Sequence, residues 1–320
     1  MNKADKKILP FDLFLKKVLR QLIKTEFGKK PPVILVNGLA EQYESWFFNV
    51  GPLNEDFVVH VPNFYLYDTD NYLHELSNIS VSWVVNRLKT YLDSFVQTPP
   101  YYLVANSSGC QTIVALAAKY PELASKLVLI CPSGLGGDEN LPVIDGVTKR
   151  DLSSMIAAIF YNKKDFVIDE IVQILKERFD NKKWRLGFVR MAQVTKRNSI
   201  VNELPQLKCP TLFICGEEDR IIPIWQAYEA VKSMHEHSAD VQMIVIPKCG
   251  HAPQIERFQV INKFIRDFLL REKSAAGKPP RRFLRLEKNV LLPFELDRAL
   301  SKANASRKKT EHIVHEVSIP

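Results

Sequence analysis

Glycine is scarce in this chain, 12 in 320 residues, and no glycine-rich phosphate loop is present. No apolar run approaches the roughly 18 residues that a membrane-spanning helix needs. The opening Met1-Asn2-Lys3-Ala4-Asp5-Lys6-Lys7 lacks the apolar core of a secretion signal, so a cytoplasmic protein is expected. Cysteine is also sparse: the five, at 110, 131, 209, 215 and 249, form no C-x-x-C pair, and four fall in or beside expected buried strands and a helix, which predicts reduced structural thiols. No histidine, cysteine or acid stands at metal-ligand spacing beside a third ligand, so neither metal nor cofactor is expected. Basic residues outnumber acidic ones 44 to 36, a formal charge of +8, yet neither basic arm interleaves aromatics in a recognisable nucleic-acid module, and no nucleic-acid partner is expected.

Much of the excess charge lies at the two ends. Phe11 to Lys24 sets apolar residues at helical spacing with basic residues largely opposite, an amphipathic basic helix. Three destinations stay open for it: packing on the domain, docking on an anionic membrane surface, or contact with another protein. The tail from Lys273, with Lys278-Pro279-Pro280-Arg281-Arg282 and Arg307-Lys308-Lys309, reads as a linker and a weakly ordered extension, either solvated or an interaction arm.

Between these arms the chain alternates strand and helix, the rhythm of a parallel sheet. Tyr102 to Ala105 is an apolar strand, Asn106-Ser107-Ser108-Gly109 a tight turn, and Gln111 to Ala118 a helix, which places the Ser107 hydroxyl at the apex of a strand–turn–helix unit. The strand Thr211–Cys215 runs into Gly216-Glu217-Glu218-Asp219, and the strand Val241–Ile246 into Pro247-Lys248-Cys249-Gly250-His251. Serine, acid and histidine therefore occur in that order, each just beyond a strand, which is the order of nucleophile-elbow hydrolases. Residues 138–203 break the rhythm with three helical stretches, Ser153 to Tyr161, Ile168 to Phe179 and Leu186 to Val194. The helices after the acid and base loops are expected over Ile222–Met234 and Ile255–Leu270.

On these motifs the chain resembles the α/β-hydrolase superfamily over roughly residues 30 to 271. The resemblance implies a doubly wound, mostly parallel sheet with a helical cap insertion. It divides the chain into a basic N-terminal helix (1–29), a first core part (30–137), the cap (138–203), a second core part (204–271) and a basic C-terminal extension (272–320). It implies a triad of Ser107, Asp219 and His251, with Asp219 chosen over Glu217 and Glu218 by the family spacing to Pro223. An oxyanion hole is implied at the backbone N–H groups of Leu39 and Ser108, beside Asn37 and Gly38 at the end of the strand Pro32–Val36, where the substrate would bind. The pattern departs from the family at Ala105 and Cys110 in the elbow, at Asn37 where histidine is usual, and over Phe57–Phe64, which lacks the usual aspartate and glycine-rich turn.

A second, narrower likeness lies in Leu127 to Gly137. This segment is similar to one in the meta-cleavage-product hydrolases, which cleave carbon–carbon bonds in vinylogous β-diketone acids, and it implies Arg190 as a ligand for a substrate carboxylate; a surface or structural ion pair is the other reading of Arg190. The expected activity is hydrolysis of a small-molecule carboxylic ester through an acyl-enzyme. Carbon–carbon hydrolysis, acyl transfer, or a ligand receptor or scaffold without turnover stand as alternatives.

Overall fold

The computed structural model describes residues 30–39, 43–62, 78–136, 139, 151–166, 169–237, 239–271, 283–288 and 290–305. The expected amphipathic helix of segment 1–29 lies outside the described residues, as do 63–77 and the basic end of the tail.

Eight strands form one sheet: β1 (Pro32–Val36), β2 (Val58–His60), β3 (Tyr101–Asn106), β4 (Ala124–Ile130), β5 (Thr211–Gly216), β6 (Val241–Ile246), β7 (Phe283–Glu287) and β8 (Val290–Pro293). Their spatial order is β2-β1-β3-β4-β5-β6-β7-β8. Every neighbouring pair is parallel except β7 and β8.

The central strands read as continuous apolar runs because both faces of the sheet are covered. Successive side chains point to opposite faces, so alternate residues enter two separate cores. Ile34, Val36, Leu103, Ala105, Leu127, Leu129, Phe213 and Met243 pack on one face. Val33, Leu35, Val104, Val128, Ile130, Leu212, Ile214 and Ile244 pack on the other.

The principal helices are α1 (Phe47–Leu53), α2 (Val81–Tyr91), α3 (Ser108–Lys119), α4 (Leu152–Ile159), α5 (Asp169–Asp180), α6 (Lys182–Arg197), α7 (Ile224–Glu236) and α8 (Phe258–Leu270). The start of α2 is fixed by Ser80, whose hydroxyl accepts from the Trp83 N–H at 3.1 Å. Its Val81, Val84, Val85 and Leu88 form the buried stripe against the sheet.

Helices α4 to α6 are inserted between β4 and β5, where the strand rhythm of the sequence fails. A wedge of aromatic rings fixes the turn from α5 to α6: Trp184 and Phe188 stack with centroids 5.4 Å apart, and Phe179 meets both edge-on. Asn181 caps α6 by accepting from the N–H groups of Lys183 and Trp184.

Two elements differ from expectation. The helix expected over Ile255–Leu270 is a short turn, Pro253–Glu256, and then α8, because Arg257 leaves helical geometry at φ −133°, ψ 36°. The tail is not a loose extension through 283–305: β7 adds to the β6 edge, β8 folds back on it, and residues 296–305 are helical. Leu286 is buried there, and Arg285 binds Glu217 of the acid loop through two nitrogens at 3.1 and 2.6 Å. Strands this short among so many charges carry too little periodicity to announce themselves; the sheet edge that receives them lies some forty residues away in sequence.

Candidate active site

The carboxyl ends of β1, β3, β5 and β6 face the same rim of the sheet, and each feeds a loop that carries one expected functional residue. Crevices at this rim of an open parallel sheet are where such folds bind ligands.

Ser107 bridges β3 and α3 with φ 53° and ψ −125°, a conformation that non-glycine residues rarely adopt. Holding it costs on the order of 1–3 kcal/mol. The Ser107 N–H donates to the Ile130 carbonyl at 2.9 Å, and the Ser107 carbonyl accepts from the N–H groups of Cys110 at 3.0 Å and Ser133 at 3.3 Å. The sharp turn needs small neighbours. A Cβ on Gly109 would stand 2.7 Å from the carbonyl oxygens of Val36 and Asn37, and one on Gly38 would stand 2.9 Å from the Ser107 Cβ. The start of α3 is thereby pressed against the end of β1. Leu39 follows at the tip of β1, and Ser108 is the first residue of α3, where backbone N–H groups have no partner within the helix. Asn37 is fully buried and directs its amide toward the Gly38 carbonyl at 3.5 Å.

The three consecutive acids after β5 take three different partners. Glu217 binds Arg285, Glu218 accepts from the Cys249 N–H at 3.1 Å, and Asp219 accepts from His251 Nδ1 at 2.8 Å. The other oxygen of Asp219 accepts from the N–H groups of Ile221 at 2.8 Å and Ile222 at 3.0 Å. Both side chains of the Asp219–His251 pair are almost entirely buried, 2% and 6% exposed. The carboxylate engages Nδ1, which fixes the orientation of the imidazole ring.

His251 is also fixed through its backbone. Its N–H donates to the Ile159 carbonyl at 2.7 Å, which ties the base loop to the end of α4. Its carbonyl accepts at 3.1 Å from the amide of Asn106, the residue just before Ser107. Asn106 was not singled out from the sequence; a polar residue ending a buried apolar strand is the signal that would have found it. Glu256 adds a further tie, accepting from the Gly250 N–H at 2.7 Å and the Tyr161 N–H at 2.8 Å, and burial raises its pKa. Gln111 of α3 reaches Ser133 at 2.6 Å and the Thr195 carbonyl of α6 at 3.0 Å.

Arg190 lies half-buried on α6, and no hydrogen bond or ion pair joins it to Ser107, Asp219 or His251. Cys131 Sγ stands within 4.8 Å of ligand atoms of Asp219 and His251, the geometry of a small metal site. These donors do not suit one: the imidazole and carboxylate are already bonded to each other, and burial pushes the Cys131 thiol well above its ordinary pKa, so it stays protonated. Glu139, a buried acid that the sequence gave no reason to select, returns its carboxylate to the Gly134 N–H on the same rim.

A family model described as "alpha/beta hydrolase fold" matches residues 31–258. Among curated proteins, the chain is similar to "Monoacylglycerol lipase ABHD6" of Homo sapiens, 26% identical over 272 residues that cover 76% of each chain. It is also similar to "2-hydroxy-6-oxononadienedioate/2-hydroxy-6-oxononatrienedioate hydrolase" of Comamonas testosteroni, 28% identical over 181 residues, 52% of this chain and 62% of that one. Among solved structures, a meta-cleavage product hydrolase of Pseudomonas fluorescens IP01 superposes with a TM-score of 0.64 at 22% identity, covering 76% of this chain and 91% of the other.

Proposed function

Since the chain belongs to the α/β-hydrolase fold family, we propose that it is a serine hydrolase that cleaves a small-molecule carboxylic ester through an acyl-enzyme. The observation that carries this reading is the buried 2.8 Å bond between Asp219 and His251 on the same rim as a serine held at φ 53°.

In this mechanism His251 Nε2 takes the Ser107 proton as the oxygen attacks the ester carbonyl. Asp219 holds the imidazole tautomer and stabilises its charged form. The Leu39 and Ser108 N–H groups receive the oxyanion, each worth about 3 kcal/mol in water-poor sites of this kind. The proton then passes to the departing alcohol, and His251 activates a water that releases the acid. The name of the lipase relative, which shares three-quarters of its length with this chain, favours an ester.

Carbon–carbon hydrolysis is the second reading, supported by the name of the Comamonas relative. Arg190, on α6, would be its carboxylate ligand. Intact-mass labelling with a fluorophosphonate, run beside Ser107→Ala, tests the shared nucleophile. One adduct on the wild type and none on the variant is the expected result; no adduct on folded wild-type protein would overturn both readings, and favour a receptor or scaffold instead. Turnover of 4-nitrophenyl esters against dienoate diketones separates the two chemistries.

A further inference from the structure

The loop that carries His251 is held one residue at a time, each by a different part of the chain. Cys249 exchanges two bonds with Glu218 of the acid loop: its N–H donates to the Glu218 carboxylate at 3.1 Å, and its carbonyl accepts from the Glu218 N–H at 3.1 Å. Gly250 donates its N–H to Glu256 at 2.7 Å. His251 donates its N–H to the Ile159 carbonyl, at the end of α4, at 2.7 Å. Glu256 does not stop at Gly250. Its second oxygen accepts from the Tyr161 N–H at 2.8 Å, across 95 positions of sequence, and the Asn162 backbone bonds the same carboxylate.

The chain from Ile159 to Tyr161 therefore runs against Gly250 and His251 with a carboxylate bridging the two. The approach is tight: a Cβ on Gly250 would stand 2.4 Å from the Ile159 carbonyl oxygen, 2.9 Å from the Tyr161 nitrogen and 3.0 Å from Glu256 Oε1. Apolar packing closes the same seam. Ala252 is buried with Ile156 and Phe160 of the inserted segment, and Ile255 packs on them, in a small core distinct from the two that flank the sheet.

Two N–H groups, one from the inserted segment and one from the His251 loop, are met by the two oxygens of one side chain. An ionised carboxylate accepts on both oxygens, and its bonds to N–H groups are roughly twice as strong as those of a neutral acceptor. A glutamine there keeps the shape but turns an N–H toward one of the two donors. We propose that Glu256 is a positioning residue of the hydrolytic reaction: by tying Gly250 to Tyr161 it holds His251 and the inserted helices as one unit, and so sets where the imidazole stands relative to Ser107. It acts through His251. The reaction it serves rests on the serine-hydrolase reading above, whereas the tie itself does not.

The test compares wild type with Glu256→Gln at pH 8. Fluorophosphonate inactivation over a range of probe concentrations separates the probe affinity KI from the first-order constant kinact. A displaced base slows proton removal from Ser107 without weakening the noncovalent complex, so kinact should fall roughly ten- to a hundredfold while KI stays within about threefold. A purely stabilising role would lower the melting temperature and leave kinact unchanged well below it. The second measurement needs no labelling. Amide exchange followed by NMR should find Gly250 and Tyr161 protected in the wild type and roughly tenfold or more faster in the variant. The low-field Nδ1 proton of His251 should shift or broaden in the same variant. Glu256→Asp, which keeps the charge but is one methylene too short to span both donors, carries the same expectations if the glutamine variant fails to fold. A wild type that takes no label would defeat the hydrolase reading, and the exchange rates and the His251 resonance would still decide the tie. An unchanged kinact, an unmoved His251 resonance, or Gly250 and Tyr161 amides that exchange as in an unstructured chain would overturn the proposal.

Discussion

Asp219 uses its two oxygens for separate tasks, one toward His251 and the other toward the N–H groups of Ile221 and Ile222. Asp219→Asn keeps an oxygen for the loop but offers an N–H where the imidazole needs an acceptor, which favours the wrong tautomer. Under the proposed mechanism, kcat on esters should fall roughly ten-thousand-fold with the melting temperature nearly unchanged, as comparison of kinetics and thermal melts would show. Glu139 makes a different prediction, one about stability. Its carboxyl keeps its proton to about pH 7 in the folded chain but releases it near the ordinary 4.5 when unfolded, so folding takes up a proton between those values. The stabilisation is complete below the unfolded value and is lost as pH rises through 7, a difference of up to roughly 3 kcal/mol. Denaturant melts at pH 5 and pH 8 should show this loss in the wild type and a smaller one in Glu139→Gln. The residues at strand ends were visible in the sequence because each follows an apolar run. Among the three acids 217 to 219 the family spacing to Pro223 pointed to Asp219, and the fold adds that Arg285 and the Cys249 N–H claim the other two.

At the scale of elements, the site depends on two close approaches. Helix α3 starts where Gly109 lets it touch the carbonyls at the end of β1, 2.7 Å from where a Cβ would stand. Gly109→Ala forces backbone against backbone, and a loss of about 1–3 kcal/mol is expected, with fluorophosphonate labelling slowed at least tenfold. The second approach is the contact of α6 with α3 through Gln111, whose amide joins Ser133, Thr195 and Asn198. Gln111→Ala removes these bonds and takes from the buried Ser133 hydroxyl its Gln111 partner, at a cost of about 1–3 kcal/mol. Hydrogen exchange across Lys182–Arg197 should accelerate while exchange in β3 and β4 does not. The sequence announced helices in 138–203 through their period, but not that α4 and α6 would be bonded to the loop that carries His251 and to α3. Those bonds join residues 84 and 92 positions apart, and local pattern has no term for them.

For the molecule as a whole, the family match ends at residue 258, while the sheet continues through β7 and β8. The hairpin covers the β6 edge, buries Leu286 and braces Glu217 at the mouth of the acid loop. Deleting 283–320 would expose a row of unpaired backbone groups along β6. The truncated protein should melt several degrees lower and aggregate, which light scattering during a thermal ramp would detect. Arg285→Ala should cost only about 1 kcal/mol, since a half-exposed ion pair is screened by water. No helix among the described residues is long and apolar enough to cross a membrane.

The alternation of strand and helix and the residues at the strand ends were determined by sequence, because continuous apolar runs and the small residues of a tight turn are local facts. Tertiary structure alone decided which partners take Glu217 and Glu218, that Asn106 holds the loop carrying His251, that the tail finishes the sheet and that Glu139 is buried against the Gly134 N–H. Each of these is a contact between segments distant in sequence, fixed by the geometry of packing and by which polar groups that packing takes out of water.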